Sequence, residues 1–342
     1  MTTFRNLDRS HIGRRTGADG VVAVWLACAV LTGCGGKDSA PPAKPAATAP
    51  VAQGPAAEAT AAQVAAKARG ALTCPPKIAS PARAAAAPVD DVVGVRPGLT
   101  YEEAAAAVMC VHDLLVVQPE TQRNMKMNTY GQSLRQGFTA RFAEPKVNKS
   151  GKQIMKELQE QSLARSNNAI VRDMKPGQQK WFVATMGLPG QERVVSLARE
   201  EWFEEGRMPT VAAVEQALRG KYGTPSRIVQ GGGTRHLTWI RDPRGTLLSE
   251  AALVGPLAYC RAAASPDSPT NFSAACGIVV DAAIVSLRSN PELSESMQAG
   301  VVDSGGGYQL ITATESALQK LDAQRKAAEV EKASKNAVAP KI

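Results

Sequence analysis

Histidine is almost missing from this chain: three residues in 342, at positions 11, 112 and 236. Isolated imidazoles do not make a metal site, and no Cys-x-x-Cys or His-Glu-x-x-His spacing supplies further ligands. Gly-x-Ser-x-Gly, Ser-x-x-Lys and the phosphate-cradling Gly-x-x-x-x-Gly-Lys-Ser/Thr are absent too, which excludes the enzyme classes those motifs define. No stretch reaches 18 consecutive apolar residues, so no segment reads as a membrane-spanning helix. Aromatic residues make up only 4 % of the chain. Bulky apolar side chains are nearly lacking between Lys37 and Val64, so that stretch cannot bury a core. Acid is missing from one place in particular. From Arg123 to Lys156 a single Glu144 stands against Arg123, Lys126, Arg135, Arg141, Lys146, Lys149, Lys152 and Lys156.

What is present begins with a three-zone leader. Arg5, Arg9, Arg14 and Arg15 outnumber Asp8 and Asp19 in the first twenty residues, and the next thirteen are uncharged and mostly apolar. Thirteen residues are too few to span a bilayer but suit the core of an export signal. They end in Leu31-Thr32-Gly33-Cys34, which resembles the lipobox of bacterial lipoproteins. The resemblance implies diacylglycerol on the Cys34 sulfur, cleavage before that residue and acylation of the new amine. Gly35 and Gly36 follow; without an aspartate there, such lipoproteins are sorted to the outer membrane. The expected location is therefore the cell envelope, lipid-anchored and facing the periplasm. Nucleic acid is not an expected partner.

Cys74, Cys110, Cys260 and Cys276 remain after Cys28 and Cys34 are set aside. An even number in an oxidising compartment reads as two disulfides, and four cysteines allow three pairings. Cys260–Cys276 is preferred because it closes a short Ser/Pro/Asp-bearing loop between apolar runs; Cys74–Cys110 follows by elimination.

The expected organisation is a signal peptide at 1–33, a lipidated Ala/Pro-rich tether at 34–88 with a short helix at 56–71, and a globular part. The globular part divides into units at 89–206 and 207–312, with a C-terminal helix and tail at 313–342. Thr100 and Glu103 form a capping box that opens a helix to about Val111. Strands follow near 136–143, 180–187 and 192–203, with a helix at 150–165 between them. Thr210 opens a second helix, with Val214 and Leu218 on one face and Gly223 and Pro225 stopping it. Strands are expected near 235–241, 256–263 and 276–287. The fold class expected is α+β: helices packed on antiparallel sheet, as two helix-plus-three-strand units in tandem. Gly98-Leu99-Thr100 and Gly223-Thr224-Pro225 are similar to parts of a motif in small outer-membrane-assembly lipoproteins of the SmpA/OmlA type. That resemblance implies a fold like the β-lactamase-inhibitor protein.

Candidate chemistry is sparse. His112 lies two places after Cys110, which reads either as a Cys–His nucleophile pair or as a surface histidine beside a disulfide. His236 should share a strand face with Thr234 and Thr238, opposite Trp239. Glu200-Glu201 and Glu204-Glu205 bracket Trp202-Phe203, and adjacent strand residues face opposite ways. Gly231–Gly233 and Gly305–Gly307 read as turns. Trp181, Trp202 and Trp239 read as core, or as interface anchors if one lies exposed on a sheet face. The basic segment reads as a solvated face, or as a patch for anionic lipid or lipopolysaccharide. The function these features suggest is a binding or scaffold protein with an envelope protein partner, needing no cofactor and no metal. The alternatives are an envelope enzyme acting on peptidoglycan and a lipid or lipopolysaccharide carrier.

Overall fold

The computed structural model describes residues 57–75, 87–120, 125, 127–166 and 174–338. The leader, Cys34, most of the tether, Arg123 and Lys126 lie outside the described residues.

The chain is α+β, with helices packed on an antiparallel sheet. A short strand β1 (Ala57–Ala59) precedes helix α1 (Ala61–Arg69), within the stretch expected to be helical, and pairs with β4 (Lys146–Val147). Helix α2 (Tyr101–Met109) leads into β2 (Leu115–Pro119), β3 (Gly137–Phe142), the exposed helix α3 (Gly151–Ser166), β5 (Gln179–Met186) and β6 (Arg193–Trp202). The second half repeats this order with α4 (Val211–Tyr222), β7 (Arg227–Gly231), β8 (Thr234–Ile240), β9 (Ile278–Leu287) and β10 (Asn290–Asp303). Helix α5 (Ser304–Asn336) closes the chain.

Both halves contribute to one eight-stranded sheet in the order β2-β3-β5-β6-β10-β9-β8-β7. The two halves meet last strand to last strand, β6 against β10, from Ser296 opposite Trp202 to Val302 opposite Ser196. The internal likeness extends to the helix entries. Thr100 and Thr210 each cap a helix with the side-chain oxygen accepting an N3 backbone N–H, and each bridges the start of its half's final strand, at Arg193 and Leu293. Reciprocal capping at Thr100, with Glu103 accepting from the Thr100 N–H, satisfies two otherwise orphaned donors.

Helices α2 and α4 bury Ala104, Val108, Val214 and Leu218 on one face of the sheet, against Leu115, Trp181, Trp239 and Ile284. The opposite face is crossed by the 248–276 segment and by the first turns of α5, around Val279 and Val302 on one side and Phe182 and Met186 on the other. Both disulfides are formed: Cys74–Cys110 ties α1 to the end of α2, and Cys260–Cys276 closes the crossing segment. Entropic closure of a loop that size contributes about 3 kcal/mol.

Each half contributes four strands to the sheet, of which β2 in the first half and β7 and β10 in the second were not among those expected from the sequence. The strand expected near 256–263 is instead a pair of 3-10 turns, at Glu250–Ala252 and Gly255–Tyr259. Gly255-Pro256 starts the second of these with Pro at its first turn, where a missing N–H costs nothing. Gly305–Gly307, read as a turn, is the first turn of α5. A Cβ on Gly305 would stand 2.7 Å from the Cys276 carbonyl oxygen, so the helix packs where only glycine fits. Among the described residues no helix is long and apolar enough to cross a membrane.

Candidate binding surface

Two neighbourhoods bring functional groups together, one on each face of the sheet. On the face crossed by the 248–276 segment, register places Val229, His236, Ala283, Gln298, Glu200, Lys180 and Arg141 in one lateral row. The crossing segment runs along one side of this row. Ala262 N–H donates to Asp281 Oδ2 at 2.7 Å, and buried Lys180 forms an ion pair with Asp267. On the other side of the row, Trp202 stands opposite Ser296, which in turn faces Val285 of β9. Its indole N–H donates to Glu200 Oε1 at 2.8 Å, which fixes both side chains. Val229 and His236 are exposed, and Gln298, Glu200 and Trp202 are half-buried. This strip combines an aromatic surface with hydrogen-bonding side chains.

The other face carries a cavity of about 330 Å³ between α4, strands β6 and β10, and a tight turn at residues 91–95. Its walls are mostly apolar, with Val92 and Val93 on the turn, Ala213, Ala217 and Leu218 on the helix, and the rings of Phe203 and Tyr222. Arg199 lines it with 8 % of its surface exposed, donating from Nε to Gln179 Oε1 at 2.9 Å and pairing through Nη2 with Glu201 at 2.8 Å. Burial pushes its pKa down, and Glu201 works against that shift.

The turn is built by Asp91. Its carboxylate accepts from Gly94 N–H and Lys221 Nζ, both at 2.8 Å, and its carbonyl accepts from the Tyr222 hydroxyl at 2.7 Å. Val92 and Val95 pair across it, with φ +47° at Val93 and +83° at Gly94. Two positive φ values in sequence favour Asn-Gly; a β-branched residue in the left-handed region costs about 1–2 kcal/mol. The Gly94 after Asp91 was the available signal for a turn, but nothing local marks Val93 as left-handed.

The residues singled out by sequence fall in separate places. His112 stacks on Phe142 with ring centroids 4.3 Å apart, and its Nδ1 accepts from Leu114 N–H. The Cys110 sulfur is bonded to Cys74, so the cysteine–histidine nucleophile reading is overturned. Phe142 belongs to β3 and His236 to β8, five strand spacings away, or about 24 Å. The two histidines do not converge. His236 does share its face with Thr238, while Trp239 is sealed in the core on the other. Glu200 and Glu201 face opposite sides, one toward Trp202 and the other into the cavity.

Trp181 and Trp239 are core residues, 0 % and 2 % exposed, leaving Trp202 as the described tryptophan with surface access. The basic residues spread out. Arg135 pairs with Glu102 and Glu192 at one end of β3, Arg141 lies near the other end, and Lys146 is on β4. Lys149 and Lys156 pair with Glu157 and Glu160, and Lys152 is exposed on α3. No protein-family model matches the chain, nor does any curated protein or solved structure.

Proposed function

We propose that the chain is a lipid-anchored protein of the bacterial cell envelope, held through Cys34 at the outer membrane and facing the periplasm. It acts by binding a partner protein through the open strip of its sheet, and not by catalysis. The observation that carries this reading is Trp202. Of the three described tryptophans it alone reaches the surface, and its bond to Glu200 holds it in one orientation. Rigid aromatic side chains with a polar edge are the residues that most often anchor protein interfaces. The Leu31-Thr32-Gly33-Cys34 tetrad supports the anchor, and two disulfides suit an oxidising compartment. The separation of His112 from His236 supports binding over hydrolysis, because the only imidazoles after the leader cannot share a substrate.

The test is site-specific photocrosslinking in the cells that make the protein. A crosslinker at Gln298 should give a discrete adduct that Trp202→Ala abolishes, while one at exposed Glu329 on α5 should give none. Equal adducts from both positions, or none from Gln298, would remove the proposal. Intact-mass measurement checks the anchor separately: an unacylated terminus would leave a binding protein without its membrane.

A further inference from the structure

The cavity beside Arg199 has features that packing alone does not require. It is walled mostly by apolar side chains, and its volume of about 330 Å³ lies at the lower end of the range for small-molecule sites. The charges around it cancel in pairs, Arg199 with Glu201 and Lys221 with Asp91, so an ion without an apolar body gains little there.

One polar group is left over. Arg199 Nε and Nη2 have acceptors, whereas Nη1 has none among the described residues and is still reached by solvent. A guanidinium more than nine-tenths buried, with one nitrogen that has no protein acceptor and opens beside apolar walls, matches a ligand with an oxygen at the end of an alkyl chain. The turn supplies a second pointer. Asparagine at position 93 would relax the backbone, yet the chain keeps a strained valine whose side chain lines the cavity. Strain of this kind collects at ligand clamps.

We propose that this cavity binds a medium-length acyl chain, with its carbonyl or carboxylate oxygen on Arg199 Nη1 and its methylenes beneath Val93. The shared chemistry fits a free fatty acid and an acyl ester alike. This inference is independent of the Trp202 strip and of the anchor.

The experiment is calorimetric titration of the full-length chain carrying Cys34→Ser with sodium decanoate and with methyl decanoate below their aggregation thresholds. Saturable one-to-one binding of at least one is expected, with a dissociation constant in the tens of micromolar. Decanoate alone identifies a free acid, and binding of the methyl ester identifies an acyl ester. Ala217→Phe fills the cavity from α4 and should weaken binding tenfold or more without lowering the melting temperature. Should that variant unfold, Val93→Asn serves instead, with a raised melting temperature and at least fivefold weaker binding. Absence of saturable binding by either probe, or unchanged affinity in a folded Ala217→Phe or Val93→Asn variant, would overturn the proposal.

Discussion

Asp281 accepts the backbone N–H of Ala262 through Oδ2 at 2.7 Å, so a buried carboxylate in the middle of β9 holds the segment closed by Cys260–Cys276. Burial pushes its pKa up to about 6 from 3.8, against bonds from Thr238 and Ala262 and the charges of Arg227 and His236. A raised carboxyl pKa means that the folded chain holds its proton more tightly than the unfolded one. The associated stability is complete below about pH 3.8 and is lost as pH rises through about 6. The full difference is about 3 kcal/mol. Asp281→Asn stays neutral and can still accept from Ala262. It should stabilise the protein at pH 7.5 by about 1–3 kcal/mol and flatten the pH dependence between 4 and 6. Urea unfolding of both proteins at pH 4.5 and 7.5 measures this; equal responses to pH would refute it.

Arg135 belongs by sequence to the basic segment, but its surroundings make it a structural residue. Its guanidinium reaches Glu102 at 2.5 Å and Glu192 at 2.9 Å, and lies over the Tyr101 ring at 4.5 Å. The Glu192 side chain is 2 % exposed. Burial pushes the Glu192 carboxyl up, yet the bonds from Arg135 outweigh that and leave it below its usual range. Arg135→Met would strand a buried carboxylate. Because Arg135 is itself partly exposed, the expected loss is about 1–3 kcal/mol, less than for a fully buried pair. Lys152→Met, on the exposed face of α3, should change stability by less than about 0.5 kcal/mol. Chemical denaturation of both variants decides it, and equal losses would show that the pair is not structural.

The elements legible in the sequence are those whose own residues specify them. Thr100 and Glu103 announce α2, Thr210 and Val214 announce α4, and Leu188-Pro189-Gly190 joins two strands whose apolar runs are unmistakable. The disulfides were legible because one spacing was short enough to choose a pairing. Strand β10 was not, because its first part, Asn290-Pro291-Glu292-Leu293-Ser294-Glu295, is polar and is held as a strand only by pairing with β9, while β6 joins from Ser296 on. The 255–259 stretch misled for the opposite reason: its side chains are apolar enough for a strand, while Gly255-Pro256 fixes a 3-10 turn. The cavity was beyond reach. It depends on Asp91 meeting Lys221, 130 residues away, and on a left-handed valine that local preference disfavours.

The tryptophans should separate cleanly in solution. With Trp25 replaced by phenylalanine, acrylamide should quench only the Trp202 part of the emission, since Trp181 and Trp239 are sealed. Trp239→Ala also removes an indole whose N–H donates to the Gly223 carbonyl at 2.9 Å. Its cost should be about 3–5 kcal/mol, whereas Trp202→Ala should cost less than about 1.5 kcal/mol because much of that ring is already solvated. Comparable losses in the two variants would mean that Trp202 is a core residue and cannot serve as an interface anchor.

The join between the halves makes the last prediction. β6 and β10 are each the final strand of their half, and each is central in the sheet, with partners on both sides. Separating the halves between Arg207 and Met208 would expose one long unpaired edge on each fragment. An exposed edge of that length is a template for association. The fragments should therefore aggregate or pair with themselves when expressed alone, and restore a soluble one-to-one complex when expressed together. In that complex, amide exchange at Ala198 and Gly300, neighbours across the join, should be among the slowest in the protein. If either fragment alone is monomeric and fully folded, the halves are independent domains and the continuous sheet is not what holds the molecule together.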